Sequence, residues 1–384
     1  MSAIPKLFTP ITLGGKSPIV LKHRVAMAPL TRLKTGDDGV QPEIAVKYYE
    51  QRATDGGLII AEATNISPQG RGCFGAPGIF NQAQIEAWKP VVDAVHAKGG
   101  KFFLQLWHTG RMSHPSLHEN NALPVSSSSN MPLSDSRVLP TKDGVQAIVQ
   151  PRALETEEIP AIVQDYRIAT ENAIAAGFDG VEVHAANGYL IEQFISDGIN
   201  DRTDKYGGSI ENRARFLFEV LDEVLKTTPS SKVGVRFSPY HITAGQRQSD
   251  PAATYNYIFD KLNAYDLAYA HIVEPRGFHY ENDKAPKEGS TAQFRKVYKG
   301  VFMTASGYER DSSVEVVEND TADIVAIGRF FISNPDLVKR FELNAELTPF
   351  ERETFYGAHL GEKGYTDYPF LGEAKQEEKT DEQP

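Results

Sequence analysis

Cysteine is nearly absent from this sequence: among 384 residues there is only Cys73. One thiol closes no internal disulfide and supplies no cysteine-rich metal site, which points to a reducing compartment, with the cytoplasm as the expected location. Methionine is scarce as well, with 5 residues, so no adaptable Met-rich surface is expected. Positive charge is in deficit: 40 Lys and Arg face 51 Asp and Glu, leaving a net charge of −11 and a pI near 5.5. An acidic surface repels phosphate backbones, and no dense Lys/Arg run offsets it, so nucleic acid is not an expected partner. No apolar run approaches the ~20 residues of a membrane helix, so no membrane association is expected. The opening MSAIPKLFTPITLGG has no charged stretch before a long apolar one, so no secretory leader is expected. What is present, 40% hydrophobic and 24% charged, is an ordinary globular composition.

The strongest pattern is a short β-branched, apolar run recurring eight times: 23–29, 58–64, 101–108, 180–186, 233–239, 267–275, 300–306 and 323–329. Helical periodicity fills the intervals at 43–54, 84–98, 160–176, 209–226 and 251–263. Weaker candidates precede the last two runs, and 334–342 follows the eighth. Buried strands alternating with helices indicate parallel β/α architecture, and eight of them fit a single (β/α)₈ TIM barrel. The competing reading is an open, doubly wound sheet with fewer strands. Residues 110–155 and 276–290 are long excursions from strand C-termini, the first shaped to act as a lid. The barrel is expected to span 1–373, and 374–384, without apolar period, to form a mobile tail.

Barrel enzymes carry their chemistry at the C-terminal ends of the strands. There this chain places Pro29, Leu30 and Thr31, then Gln105 and Trp107, then His184, Asn187 and Tyr189, then Arg236, then Ser306-Gly307 and Gly328-Arg329. Hydrogen-bonding side chains with few carboxylates suit an uncharged planar ligand better than a metal ion, and no metal site is expected. The small residues after the seventh and eighth strands, with Arg329, read as a phosphate site or as simple turns with a surface ion pair. Arg236 reads as a structural ion-pair partner or as a fixed charge beside a ligand atom that becomes negative. His184 and Asn187 can both donate to one carbonyl oxygen, and a Tyr hydroxyl can deliver a proton; singly, each is better explained by structure, and clustered at a strand end they read as an electrophilic clamp with a general acid. Some motifs do not hold. Gly70-Arg71-Gly72-Cys73-Phe74-Gly75 matches a dinucleotide fingerprint, but Ala76-Pro77-Gly78 turns the chain where a helix should begin. Pro115 prevents His114 and His118 from sharing a helical face, and Cys73 has no evident base partner.

RVAMAPLTR (24–32), GRGCFGAPGIF (70–80), FFLQLWHTGR (102–111), GFDGVEVHAANGYLIEQFISDGINDRTDKYGGSIENRARF (177–216), GVRFSP (234–239) and GYTDYPFL (364–371) carry a further signal. Through them the chain resembles, over nearly its whole length, the Old Yellow Enzyme family of FMN-dependent ene-reductases, including the oxophytodienoate reductases. The resemblance implies one non-covalent FMN at the strand C-termini. Thr31 would meet the flavin O4 edge, Pro29, Leu30 and Ala63 would line the ring, and Gln105 would meet the pyrimidine edge. It implies Arg236 near N1/O2, and Ser306, Gly307, Gly328 and Arg329 around the phosphate. His184 and Asn187 would bind the substrate carbonyl, Tyr189 would donate the proton, and Trp107, Phe355 and Tyr356 would surround the substrate. Two departures stand out: Ser306 replaces a glycine of many relatives, and Asn187 stands where some branches have histidine.

The expected function is therefore reduction of the C=C bond of enones, enals and nitroalkenes, with NADPH as reductant, by a monomer or homodimer. The alternatives are an FMN-binding protein without turnover, and another FMN barrel of dihydroorotate dehydrogenase type, which would need a Cys or Ser base over the ring.

Overall fold

In a computed structural model, which describes residues 4–15, 19–130, 137–242, 248–276 and 283–373, the eight expected strands close into a parallel barrel. They are β1 (Val25–Met27), β2 (Leu58–Asn65), β3 (Lys101–Trp107), β4 (Gly180–Ala185), β5 (Val233–Phe237), β6 (Tyr269–Val273), β7 (Phe302–Ala305) and β8 (Ile324–Ile327). The pairing of Val325 with Val25 joins β8 back to β1, which an open sheet could not do.

Strand alternation sorts the apolar residues into two cores. Val25, Ile59, Phe102, Val181, Val235, Ala270, Phe302 and Val325 face outward under the helices. Ala26, Leu58, Ile60, Phe103, Tyr269, Met303, Ile324 and Ala326 face inward and fill the bore. The N-terminal mouth is plugged by a small antiparallel pair, Ile11–Thr12 with Val20–Leu21, whose Leu13 and Leu21 join the inner core.

The helical layer follows the expected segments: α1 (Ile44–Arg52), α2 (Gln82–Ala97), α3 (Ile159–Ala175), then a short α4 (Leu190–Ile195). Next come α5 (Ile210–Val224), α6 (Pro251–Leu262), α7 (Ser290–Arg295), α8 (Arg310–Glu318), α9 (Arg329–Ser333) and α10 (Leu337–Leu343). Side-chain caps explain several starts. Asn81 accepts from the Gln84 N–H, which moves the start of α2 to Gln82, and Ser209 and Asp250 cap α5 and α6; such caps contribute about 1 kcal/mol each. Two expectations need correction. The helix expected over 334–342 begins only at Leu337, because Asn334 precedes Pro335 and leaves the helical region, and a separate short helix, α9, occupies 329–333. The short α4 was not expected: all six of its residues are buried, so no polar face marks it as helical.

The excursion over 110–155 carries an antiparallel hairpin, Val138–Thr141 with Gly144–Ala147, and a parallel pair, Val125–Ser126 with Arg152–Ala153. Its Leu117, Leu139 and Ile148 pack on Cys73, Phe74 and Met112, and the Phe74 N–H donates to the Pro140 carbonyl at 2.9 Å. It is thus a docked wall beside the barrel mouth. The tail expected over 374–384 lies outside the described residues, as do 277–282 of the second excursion. Among the described residues no helix is long and apolar enough to cross a membrane. The glycine run at 70–78 opens no helix, so the dinucleotide fingerprint is indeed spurious.

Candidate active site at the strand C-termini

The upper bore is lopsided. Strands β3 to β6 send in Gln105, Glu182, His184, Arg236 and His271, whereas β7, β8 and the exit from β1 offer only Ala305, Ala326 and Ala28. Space therefore opens over the alanines as a cavity of about 900 Å³. Its lining includes Pro29, Leu30, Thr31, Asn187, Tyr189, Arg236, Ser306, Gly307, Gly328, Arg329, Phe355 and Tyr356, twelve of the residues singled out in the sequence. Ala63, Gln105, Trp107 and His184 are not in this lining and are at most 4% exposed. Gln105 is buried, with its amide Nε2 donating to Glu182 at 2.7 Å. Ala63 and Trp107 pack together beside Tyr189. Among the lining residues Arg137, Arg236, Arg329 and Arg352 face a single carboxylate, Glu309. The chain is acidic overall, but its cavity draws anions.

The turn after β7 sets Ser306 (φ +83°) and Gly307 (φ +71°) in the left-handed region. A serine there carries strain of about 1 kcal/mol or more, and its surroundings offset it. Ser306 Oγ–H donates to the Arg276 carbonyl at 2.8 Å, Arg276 Nε–H returns a bond to the Ser306 carbonyl at 3.1 Å, and the guanidinium lies 4.0 Å over the Tyr308 ring. Arg276 was not anticipated; nothing in its sequence context marks it. Among the described residues the backbone N–H groups of Ser306, Gly307 and Gly328 donate to no protein acceptor. With Arg329 beside them they form a cradle for an anion's oxygens.

His184 follows different rules. Its Nδ1 accepts the Ala186 N–H at 3.3 Å, so the neutral ring carries its proton on Nε2. Burial first, then Arg236, His271 and His241, hold its pKa well below the ordinary histidine value. The neutral ring therefore has Nε2–H to offer as a donor. Its ring meets Tyr189 edge-on at 4.9 Å, and Tyr189 meets Trp107 edge-on at 5.0 Å.

Asn187 adopts φ +59°, which asparagine tolerates better than most residues. Its N–H donates to Ser238 Oγ at 2.7 Å, and Ser238 donates in turn to the Glu192 carboxylate at 3.0 Å. Glu192 also accepts the Gly188 N–H at 2.8 Å and the Tyr255 hydroxyl at 2.9 Å. Beside it, Gln193 Nε2 donates to the Thr109 and Gly188 carbonyls at 3.0 and 2.7 Å. Glu192, Gln193, Ser238 and Tyr255 thus build the 187–189 turn, and sequence reasoning missed them. The available signal was a carboxylate and an amide inside the otherwise apolar run LIEQFI.

Comparison with known proteins agrees with this architecture. Residues 6–348 match the NADH:flavin oxidoreductase / NADH oxidase family. The chain is 48% identical over 380 residues to 12-oxophytodienoate reductase 1 of Oryza sativa subsp. japonica, covering 99% of this chain and 96% of that protein. Among solved structures, morphinone reductase superposes with a TM-score of 0.89 at 45% identity, covering 97% of this chain and 98% of that one. An old yellow enzyme homologue from Zymomonas mobilis gives 0.89 at 40% identity, covering 96% and 100%. Morphinone reductase has also been solved in complex with tetrahydroNAD.

Proposed function

The chain belongs to the NADH:flavin oxidoreductase / NADH oxidase family, and from that premise we propose that it is an FMN-dependent reductase of α,β-unsaturated carbonyl compounds with NADPH as reductant. The residues present fit FMN. The unspent N–H groups at 306, 307 and 328 with Arg329 suit its phosphate, and the alanine floor admits a flat ring. Arg236 suits the ring edge where negative charge grows. Pro29, Leu30, Thr31 and Ala63 are proposed to border the ring, and Gln105 its pyrimidine edge.

When bound, FMN would accept a hydride from the nicotinamide and return it to the electron-poor carbon of the alkene. The chain's own residues do the rest. His184, through Nε2–H, and the Asn187 side-chain amide bind the substrate oxygen and draw charge towards it. The Tyr189 hydroxyl holds the proton that the α-carbon receives. Trp107 fixes the Tyr189 ring, and Phe355 with the half-exposed Tyr356 closes the outer wall.

One observation carries the reading: the anion cradle, Asn187 and Tyr189 line a single cavity, and the neutral His184 ring packs edge-on against Tyr189 at 4.9 Å just behind that lining. A dihydroorotate dehydrogenase-type reaction is less well supported, since burial pushes the Cys73 thiol up to about 12, unfit to act as a base. The test is anaerobic. NADPH should bleach the yellow holoprotein faster than NADH does, and an enone should restore the colour at least as fast as steady-state turnover. Bleaching without recovery on any enone, enal or nitroalkene refutes the reductase reading, and failure of the apoprotein to take up FMN refutes the cofactor.

A further inference from the structure

Below the cavity floor, β3, β4 and β6 bring Gln105, Glu182 and His271 together, at most 1% exposed. Glu182 Oε1 accepts from Gln105 Nε2 at 2.7 Å, and Oε2 accepts from His271 Nδ1–H at 2.8 Å. Arg236, one strand over and in register with both His184 and His271, supplies the nearest positive charge. A carboxylate in the bore of a barrel is costly to desolvate, and an apolar side chain would fill the space more cheaply. Its presence calls for a task.

The chemistry of the pair defines one. An ionised carboxylate only accepts hydrogen bonds, so the Gln105 amide has to turn its NH₂ towards Glu182. The Gln105 oxygen then faces away from Glu182, and among the described residues it has no donor. Without Glu182 the amide could present either end. With it, the site offers an acceptor only.

We propose that Glu182 is a positioning residue for the flavin: it locks Gln105 as an acceptor for the ring's N3–H, and its negative charge partly offsets Arg236. This rests on the FMN reading above. Two effects follow. The site discriminates against a flavin whose N3–H is blocked, and the protein holds the reduced, negatively charged ring less tightly than Arg236 alone would allow.

The experiment titrates apoprotein with FMN and with N3-methyl-FMN, following flavin fluorescence, and measures the midpoint potential of the FMN-loaded protein. The wild type should bind FMN at least about tenfold more tightly than the methylated probe, the loss expected for one unsatisfied acceptor. In Glu182→Gln the neighbouring amide can meet either end of Gln105, so this ratio should fall several-fold. The potential should rise, with about a tenfold shift towards reduced flavin corresponding to about 30 mV for two electrons. Glu182→Asp keeps the charge but draws it back, so its potential should stay near wild type while the ratio falls; this variant also serves if Glu182→Gln does not fold. In Gln105→Met the ratio should already be low, and adding Glu182→Gln should lower it no further. A ratio and potential unchanged in the folded Glu182 variants overturn the proposal while leaving the FMN reading intact. Absence of FMN binding by the wild type overturns the FMN reading itself.

Discussion

Replacing Glu192 by glutamine should loosen the 187–189 turn without disturbing the anion cradle across the barrel. The carboxylate accepts from Ser238 (3.0 Å), Gly188 N–H (2.8 Å) and Tyr255 (2.9 Å). Glutamine is nearly isosteric but offers one oxygen and one NH₂. The hydroxyls of Ser238 and Tyr255 can rotate and the Gly188 N–H cannot, so the oxygen should go to Gly188 and the NH₂ towards Tyr255. Three charge-assisted bonds become neutral ones, each weaker by about 1 kcal/mol, for a total cost of about 2–3 kcal/mol. Two of the three support the turn, so its productive conformer should lose about 1–2 kcal/mol, enough for roughly a tenfold effect. We expect the Kd for a phenol, read from the flavin spectrum, to rise about tenfold and enone kcat/KM to fall about as much. The melting temperature should fall by about 3 °C, with FMN content unchanged. Phenol affinity and kcat/KM within twofold of wild type, despite the lower melting temperature, would show that the turn does not depend on Glu192.

Tyr189→Phe should leave FMN binding and reduction by NADPH nearly unchanged but slow reoxidation by enones by about 10²–10⁴-fold; stopped-flow traces of the two half-reactions check this, and wild-type reoxidation would place the proton donor elsewhere. Arg236→Met should lower the flavin potential or abolish FMN retention, and Arg236→Lys should restore it only in part, because a point charge does not reproduce the guanidinium fork; unchanged potential and occupancy would leave Arg236 a structural partner. Stability should fall on acidification. Burial holds His23 at about 4, His108 at about 3 and His184 well below its ordinary value, so below pH 6.5 the unfolded chain takes up protons that the folded chain refuses. His23 and His108 each remove about 1.4 kcal/mol per pH unit over that window and His184 acts in the same direction, so the melting temperature should drop steeply between pH 6.5 and 4.5; a flat profile there would refute the assignment.

The barrel was legible because its strands are apolar on both faces and its helices on one, so the two periods separate cleanly. The strand-end residues were legible because the fold's polarity says which end of each run opens towards the cavity. The supporting network was not. Ser238 and Tyr255 lie 46 and 63 positions from Glu192, and only closure of the barrel brings them together. Gln105 stood out at its strand end, but the partner its amide donates to, Glu182, is 77 positions away. The α4 helix escaped notice because a segment buried all round has no periodicity to read.

The Gln193 side chain has a consequence for altering this protein. Its oxygen takes the Arg111 N–H and the Ser126 hydroxyl at 3.1 and 3.0 Å, while its nitrogen serves Thr109 and Gly188, so one amide ties the exits of two strands to the docked wall. Segments tied together in this way cannot drift independently, and most substitutions in any of them would be felt in the others. Variation in substrate scope, whether natural or engineered, should therefore accumulate at the rim, at Arg137 and around 352–356, where side chains line the cavity without entering that linkage.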